Sequence, residues 1–192
     1  MLGKTIMRCM PWWKIKVIDS HKLLKGQTVV YIANHESLSD ILVLFTLGIN
    51  FKWMAKEELF KIFILGQAMQ GCNYIAIKRG NKDSIKVALD QSLQTLKSSI
   101  PMMIFPDGTR SKTHILSPFK RGAFSLAQDA GVDIVPIVLS GTCDLVTKGS
   151  WKVGKANIKI KVLEKIEAPK TAQMEEIRQK AYDAMSSSLS TL

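Results

Sequence analysis

A histidine and an aspartate lie five positions apart in the segment NHESLSD, which spans residues 34–40. Histidine is the side chain best suited to act as a general base near neutral pH. A carboxylate within reach of the ring, here Asp40, can fix the imidazole tautomer and stabilise the imidazolium that forms. His35 and Asp40 are therefore candidates for proton-transfer chemistry. The structural alternative is that Asp40, Ser37 or Ser39 only caps a following helix.

A second candidate is the segment FPDGTRS at residues 105–111, which closes another apolar run. Gly108 permits a tight turn and the close approach of a ligand. Thr109 offers a hydroxyl, and Arg110 offers a planar guanidinium fork that matches a phosphate. The segment therefore indicates an anion site. Pro-Asp-Gly is also an ordinary turn sequence, however, and Arg110 is equally compatible with a solvated loop charge.

Short apolar runs precede both segments and recur along the chain as strand candidates. They are Thr28–Ala33, Phe51–Ala55, Tyr74–Ile77, Met102–Phe105, Ile134–Leu139 and Asn157–Leu163. Amphipathic helical stripes run from Ile85 to Leu96, from Gly122 to Ala130 and from Met174 to Leu189. Strands that alternate with helices predict a single α/β layered domain, with a central mixed, mostly parallel sheet flanked by helices. Ligands tend to bind beyond the strand ends of such sheets.

Two of the strand candidates carry further signals. Pro136 lies inside Ile134–Leu139. Because proline has no N–H to donate, it favours an edge or irregular position for this strand, which would then border a groove. A purely structural role for that strand is the alternative. Asn157–Leu163 alternates isoleucines with lysines, so one face is expected to meet solvent.

Composition narrows the classes of function. The 192 residues are 46% hydrophobic and 22% charged, which fits one ordered domain with a substantial core. The formal net charge of +11 favours anionic partners, such as phosphorylated substrates, anionic lipid or nucleic acid. The three cysteines lack CxxC spacing and the three histidines lack metal-ligand spacing, so no metal site is expected. No RNA- or DNA-binding motif is present.

The N-terminus mixes Trp, Met and Leu with Lys and Arg. We predict an amphipathic, membrane-interfacial segment over residues 1–20 and a globular domain over residues 21–192. A terminal arm packed on the core is the alternative. The longest apolar stretch, Ile41 to Phe51, is about half of a bilayer span, so no transmembrane helix is expected.

Taken in order, these blocks resemble the glycerolipid acyltransferase family. NHESLSD fits the family's NH-x4-D motif, and FPDGTRS resembles FPEGTRS with Asp107 in place of glutamate. Ile77-Lys78-Arg79 resembles the Ile-x-Arg block, and the strand around Pro136 resembles the Val-Pro-Ile block. MAKE at residues 54–57 and FKRG at residues 119–122 also look like family segments, so the resemblance covers residues 28–139.

This resemblance implies a glycerol-3-phosphate acyltransferase-like fold and a 1-acylglycerol-3-phosphate O-acyltransferase of phospholipid biosynthesis. His35 would deprotonate the sn-2 hydroxyl of 1-acyl-glycerol-3-phosphate, and Asp40 would orient His35 and stabilise its charged form. The acyl donor would be acyl-CoA or acyl carrier protein, with no cofactor and no metal, and the product would be phosphatidic acid. The residues implied to bind the phosphate are Lys56, Arg79, Gly108, Thr109 and Arg110, with Asn34 and Asp107 in supporting positions.

The resemblance also implies a peripheral or monotopic enzyme at the cytoplasmic face of the cell membrane, with an anionic membrane surface as partner and no nucleic acid. An acyltransferase for another lysolipid, such as lyso-ornithine lipid or another lysophospholipid, is one alternative. The other is a non-catalytic basic module that binds membranes or nucleic acid, which the net charge of +11 motivates.

Overall fold

The computed structural model describes residues 11–37, 39–111, 115–143 and 155–192. Within these ranges the chain forms seven strands and five α-helices. The strands are β1 (Trp13–Ile18), β2 (Val30–Ala33), β3 (Lys52–Lys56), β4 (Ile75–Ile77), β5 (Met102–Ile104), β6 (Ile134–Ser140) and β7 (Ala156–Val162). The helices are α1 (Asp40–Phe45), α2 (Leu65–Gly71), α3 (Lys82–Lys97), α4 (Gly122–Ala130) and α5 (Met174–Leu189). Short 3-10 helices, Ser20–Lys22 and Glu57–Lys61, follow β1 and β3.

All seven strands belong to one sheet, in the order β1-β7-β6-β2-β5-β3-β4. Neighbouring strands are parallel except β6 and β7, which are antiparallel. The predicted mixed, mostly parallel sheet flanked by helices is therefore confirmed. Because β2, β3, β4, β5 and β6 run in one direction, the loops after them all leave the same edge of the sheet.

The centre of the sheet is buried on both faces, and β2 shows why its sequence is apolar throughout. Val30 and Ile32 enter one core cluster, whereas Tyr31 and Ala33 enter the other. Successive side chains of a strand point to opposite faces, so a strand covered on both sides needs a continuous apolar run. The first cluster includes residues of α3, α4 and α5, such as Ala88, Phe124 and Ala181, and the second includes Val43 and Leu44 of α1.

The prediction that the strand with Pro136 lies at an edge of the sheet is wrong, because β6 lies inside the sheet between β7 and β2. The carbonyl of Pro136 accepts from the N–H of Leu163, so this residue points its backbone groups toward β7. The antiparallel ladder between β6 and β7 begins at the next residue, Ile137. The missing N–H therefore falls just before that ladder, and the parallel ladder between β6 and β2 needs no donor from Pro136.

The N-terminal segment contributes a strand that the sequence reading missed. Trp13–Ile18 forms β1 and pairs in parallel with β7 at the edge of the sheet. Its signal is the alternation of Trp13, Ile15 and Val17 with lysines. Part of the predicted segment 1–20 thus belongs to the sheet, whereas residues 1–10 lie outside the described residues and their interfacial role stays a prediction. The solvent-facing alternation predicted for β7 is present, with Ile158 and Ile160 buried and Lys159 exposed.

Helix α3 shows how local chemistry defines an element. The side chain of Asn81 accepts a hydrogen bond from the N–H of Ser84 at 2.8 Å, which satisfies one of the free donors at the helix start. Gly131 ends α4 with a φ of 69°, a conformation that glycine adopts without strain.

Among the described residues, no helix has both the length and the hydropathy needed to cross a bilayer.

Candidate functional site

The loop after β2 places His35 and Asp40 side by side. β2 ends at Ala33, and α1 begins with Asp40. The Nδ1 atom of His35 lies 2.7 Å from Oδ2 of Asp40, and the Asp40 side chain is fully buried. An ionised carboxylate can only accept hydrogen bonds, so Nδ1 carries the proton and Nε2 keeps its lone pair. This is the arrangement that a histidine general base requires.

Asp40 holds the turn and the ring with the same oxygen. Its Oδ2 also accepts from the backbone N–H groups of Glu36, at 2.7 Å, and Ser37, at 2.9 Å. Three N–H donors on one oxygen stabilise its negative charge. Asp40 therefore does more than cap a helix. Its carboxylate accepts from backbone N–H groups that precede α1, and so it closes the turn before this helix.

Asn34 fixes the end of β2 to the end of β6. Its side-chain amide donates to the carbonyl of Leu139 at 2.9 Å, and its amide oxygen accepts from the N–H of Leu139 at 2.7 Å. These paired hydrogen bonds replace the ladder that stops at Ala33. The residue that precedes the candidate base is thus bonded to the central sheet, which restricts how far His35 can move.

The FPDGTRS segment after β5 holds both backbone groups of His35. The N–H of His35 donates to Oδ2 of Asp107 at 3.1 Å, and the carbonyl of His35 accepts from the N–H of Ser111 at 2.8 Å. Asp107 is only 3% exposed, and this burial raises the pKa of its carboxyl to about 6. Asp107 thus lies directly beside His35, and its supporting role in the reaction stays a prediction.

Phe105 packs against the imidazole of His35 and was not singled out from the sequence. The two rings are stacked, with centroids 4.1 Å apart and planes at 12°. Trp53 of β3 in turn stacks on Phe105, with centroids 5.1 Å apart. One face of the imidazole is therefore covered by a fixed aromatic surface. The signal in the sequence was the position of Phe105, directly before the polar loop.

The residues predicted to bind a phosphate divide into two groups. Gly108, Thr109 and Arg110 lie between Asp107 and Ser111, the two residues bonded to His35, and Thr109 and Arg110 are exposed. Gly108 has a φ of 66°, which only glycine adopts freely. The structure thus places this group directly beside His35 in the site.

Lys56 and Arg79 form the second group, at the same edge of the sheet but beyond β5. Lys56 ends β3 and pairs with Glu58, with 3.1 Å between Nζ and Oε1. Arg79 is exposed in the turn after β4, the outermost strand on this side. The structure therefore does not bring these two cations as close to His35 as the loop after β5.

Lys120 is a cation of the site that was not named among the candidate residues. Its backbone N–H donates to the carbonyl of Pro106 at 2.7 Å. Its side chain runs over Gly108, where a Cβ atom would lie 2.5 Å from the lysine Nζ. The signal was the segment FKRG at residues 119–122. Lys120 and Arg110 thus supply two positive charges at the FPDGTRS loop.

In the described part of the chain, no group of three or more His, Cys, Asp or Glu side chains is arranged to hold a metal ion.

Comparisons with known proteins agree on one family. A family model described as acyltransferase matches residues 14–140. The chain is 34% identical over 178 residues to a chloroplastic 1-acyl-sn-glycerol-3-phosphate acyltransferase of Arabidopsis thaliana, an alignment that covers 91% of this chain and 50% of the relative. It is 39% identical over 140 residues to a 1-acyl-sn-glycerol-3-phosphate acyltransferase of Chlamydomonas reinhardtii, covering 72% of this chain and 42% of that one. The chain thus spans about half the length of these curated relatives.

A solved structure shows the same architecture. The 1-acyl-sn-glycerophosphate acyltransferase PlsC of Thermotoga maritima superposes with a TM-score of 0.86 at 26% sequence identity. The match covers 99% of this chain and 77% of the Thermotoga chain.

Proposed function

Because this chain belongs to the acyltransferase family, we propose that it transfers a fatty acyl group from a thioester donor to the sn-2 hydroxyl of 1-acyl-glycerol-3-phosphate. The product is phosphatidic acid, a precursor in phospholipid biosynthesis. The observation that carries the proposal is the buried hydrogen bond between His35 Nδ1 and Asp40 Oδ2, beside a loop with cations. The names of the curated relatives support the choice of acceptor.

In the proposed reaction, Nε2 of His35 removes the proton from the acceptor hydroxyl as its oxygen attacks the thioester carbonyl carbon. A tetrahedral intermediate forms and collapses, and the carbon–sulfur bond breaks. The thiolate then leaves with the proton that His35 returns, so the imidazole is neutral again. Asp40 stabilises the imidazolium between these steps, which is the role of the carboxylate in a Ser-His-Asp triad.

The phosphate of the acceptor would lie at the FPDGTRS loop. Gly108 allows the tight turn of this loop, Thr109 offers a hydroxyl, and Arg110 offers a guanidinium fork. We add Lys120 to this set, because its side chain lies over Gly108. Lys56 and Arg79 would act at longer range, since they lie at the ends of β3 and β4. Holding hydroxyl and thioester in one geometry supplies much of the rate gain.

The reaction needs no cofactor, because a thioester is already an activated acyl group with a good leaving thiol. Either acyl-CoA or acyl carrier protein can supply it. We also propose that the protein acts as a peripheral or monotopic enzyme at the cytoplasmic membrane face, because its acceptor and product are membrane lipids. The net charge of +11 suits an anionic lipid surface.

The decisive experiment is thiol release from acyl-CoA and from acyl carrier protein across a panel of lysolipids. We expect transfer to 1-acyl-glycerol-3-phosphate by the unmodified chain and a loss of about 100- to 10,000-fold in the His35→Ala variant. His21→Ala is the matched control, because His21 is exposed in the 3-10 helix after β1.

Each other outcome identifies a different function. Transfer only to lyso-ornithine lipid or another lysophospholipid would keep the chemistry and change the acceptor. Salt-sensitive binding to anionic vesicles or nucleic acid without any thiol release would indicate the non-catalytic basic module instead. Near-normal turnover in the His35→Ala variant would contradict the role of His35.

A further inference from the structure

The segment Ile62–Leu65, called here the apolar tip, exposes four consecutive large hydrophobic side chains. Phe63 is 80% exposed and Ile64 is 70% exposed, and Ile62 and Leu65 are also exposed. Contiguous apolar surface of this kind is uncommon in a water-facing loop and marks a site of interaction. Single exposed apolar residues, such as Val87 on α3, are ordinary by comparison.

The apolar tip is a built structure held by backbone hydrogen bonds. The N–H of Leu65 donates to the carbonyl of Phe63 at 2.9 Å, and Ile64 between them has φ 68° and ψ −56°. These values define a positive-φ γ-turn, a rare and strained conformation that is least favourable for a β-branched residue. Gly66 allows the turn to close, because a Cβ atom there would overlap the carbonyl of Phe60. Strained backbone conformations of this kind are concentrated at functional sites.

The apolar tip lies at the functional edge of the sheet. It follows the 3-10 helix Glu57–Lys61, which begins directly after β3 and contacts both β3 and β4. β3 is parallel to β5 and, through β5, to β2, so its carboxyl end lies at the edge where His35 is held. A surface that bound this tip would therefore lie on the same side of the molecule as the candidate base.

The charges beside the apolar tip are suited to an anionic surface. Glu57 and Glu58 are each paired with a lysine, at 3.7 Å and 3.1 Å. Lys78 and Arg79 are exposed directly after β4, which pairs with β3 up to its last residue. Apolar side chains flanked by cations are the combination that binds the interface of an anionic bilayer.

We propose that the apolar tip inserts into an anionic lipid surface and so brings the carboxyl edge of the sheet, with His35, to the membrane. This inference rests on the proposed function, which needs access to a lipid acceptor, and it names a docking surface separate from the N-terminal segment. Phe63 and Ile64 would enter the interface between headgroups and acyl chains, and Lys78 and Arg79 would contact lipid phosphates.

The test is flotation of the full chain with vesicles of phosphatidylcholine and phosphatidylglycerol, compared with vesicles of phosphatidylcholine alone. We expect stronger binding to the anionic vesicles, and a loss of about tenfold or more in partition for Phe63→Ser, because the side chain's apolar area is no longer removed from water. Val87→Ser is the control, which removes an exposed aliphatic side chain from α3 and should leave partition unchanged. Equal partition of the unmodified chain and the Phe63→Ser variant would overturn the proposal.

Ile64→Gly separates docking from folding. Glycine adopts the positive φ of this turn without strain, so the variant should melt at a higher temperature while it binds vesicles more weakly. A weaker partition in a more stable protein is the expected result. An unchanged partition in this variant would contradict the insertion of Ile64.

Activity distinguishes a failure of docking from a failure of the proposed function. The ratio of turnover on vesicle-embedded acceptor to turnover on dispersed short-chain acceptor should fall at least tenfold in Phe63→Ser. If the unmodified chain fails to acylate either acceptor, the proposed function fails, and the partition data still test docking alone. Sedimentation of the protein without vesicles completes the test, since a dimer lost in Phe63→Ser would assign the tip to a second copy and overturn the lipid proposal.

Discussion

The Nδ1 atom of His35 lies 2.7 Å from Oδ2 of Asp40, and this same oxygen receives the backbone N–H groups of Glu36 and Ser37. One buried carboxylate therefore sets both the orientation of the imidazole and the shape of the loop that carries it. Nε2, on the other side of the ring, is the nitrogen left for an acceptor hydroxyl.

We predict that Asp40→Asn lowers kcat by about 1,000- to 10,000-fold, by analogy with the loss of the triad aspartate in serine proteases. The amide oxygen of asparagine carries no negative charge, so it accepts the three N–H hydrogen bonds more weakly than the carboxylate does. The amide also no longer stabilises the imidazolium. The variant should also lose about 1 to 3 kcal/mol in free energy of unfolding, because buried donors lose a charged acceptor. Steady-state kinetics and urea unfolding measure the two effects, with the exposed Asp90→Asn change as control.

A kcat for Asp40→Asn within tenfold of the unmodified value would contradict the assigned role. Loss of folding would leave kcat unreadable in that variant, so Asp40→Glu serves as a second test that keeps the charge. Partial recovery of kcat in Asp40→Glu relative to Asp40→Asn is the expected sign that charge, and not only shape, matters.

Arg110 and Arg79 should differ as phosphate ligands. Arg110 lies in the loop that bonds both backbone groups of His35, whereas Arg79 follows β4, the outermost strand on that side. We predict that Arg110→Ala raises KM for 1-acyl-glycerol-3-phosphate by about 10- to 100-fold, as expected for loss of a charged hydrogen bond. Arg79→Ala should raise it by less. KM for a dispersed short-chain monoacylglycerol, which lacks the phosphate and needs no membrane docking, should be the same in both variants and the unmodified chain.

An equal effect of Arg110→Ala on the neutral and the phosphate-bearing acceptor would remove the phosphate role from Arg110. A larger effect of Arg79→Ala than of Arg110→Ala would move the phosphate site toward β4.

Phe105 is expected to act as a positioning residue for His35, since their rings stack at 4.1 Å. Phe105→Leu should lower kcat by about tenfold through loss of ring alignment, with little change in KM. Phe105→Tyr should restore most of kcat because it keeps the ring. Phe45→Leu is the matched control, because Phe45 stacks on Phe51 in the same core cluster without an observed ring contact to His35 among the described residues.

Comparable kcat in Phe105→Leu and Phe45→Leu would show that the stack matters only for packing. Thermal unfolding of both variants separates a general loss of stability from a loss of ring alignment.

Asp107 should make stability depend on pH between about 4 and 6. Burial raises the folded-state pKa of its carboxyl to about 6, above the ordinary value of 3.8. The folded state therefore binds the proton more tightly, and this group's contribution to stability is lost as pH rises through 6. The side chain in the Asp107→Asn variant cannot ionise. The free energy of unfolding of this variant minus that of the unmodified chain should therefore be larger at pH 7 than at pH 4 by about 2 to 3 kcal/mol.

Urea unfolding of both proteins at pH 4, 5, 6 and 7 measures this difference. Taking the difference cancels the titration of every other group that the substitution leaves unchanged. A difference that stays constant over this range would contradict the raised pKa of Asp107.

Much of the fold followed from local pattern. The apolar runs predicted the strands of the parallel region, because a strand covered on both faces must be apolar at every position. The stripes predicted α3, α4 and α5, because a helix buries one face in every turn. In β1, apolar residues alternate with lysines, a pattern that fits an edge strand. The same short basic and aromatic segment also fits a membrane interface, so local pattern alone does not distinguish the two.

The sequence by itself determined the candidate chemistry, because the residue types and spacing of NHESLSD and FPDGTRS are read along the chain. Only the tertiary structure decided how the two segments meet, since the bond between His35 and Asp107 joins residues 72 positions apart. It also brought Lys120 over Gly108, stacked Phe105 on the imidazole and left Lys56 paired with Glu58. Such contacts depend on strand order and register, which arise from burial of the whole sheet and not from any local pattern.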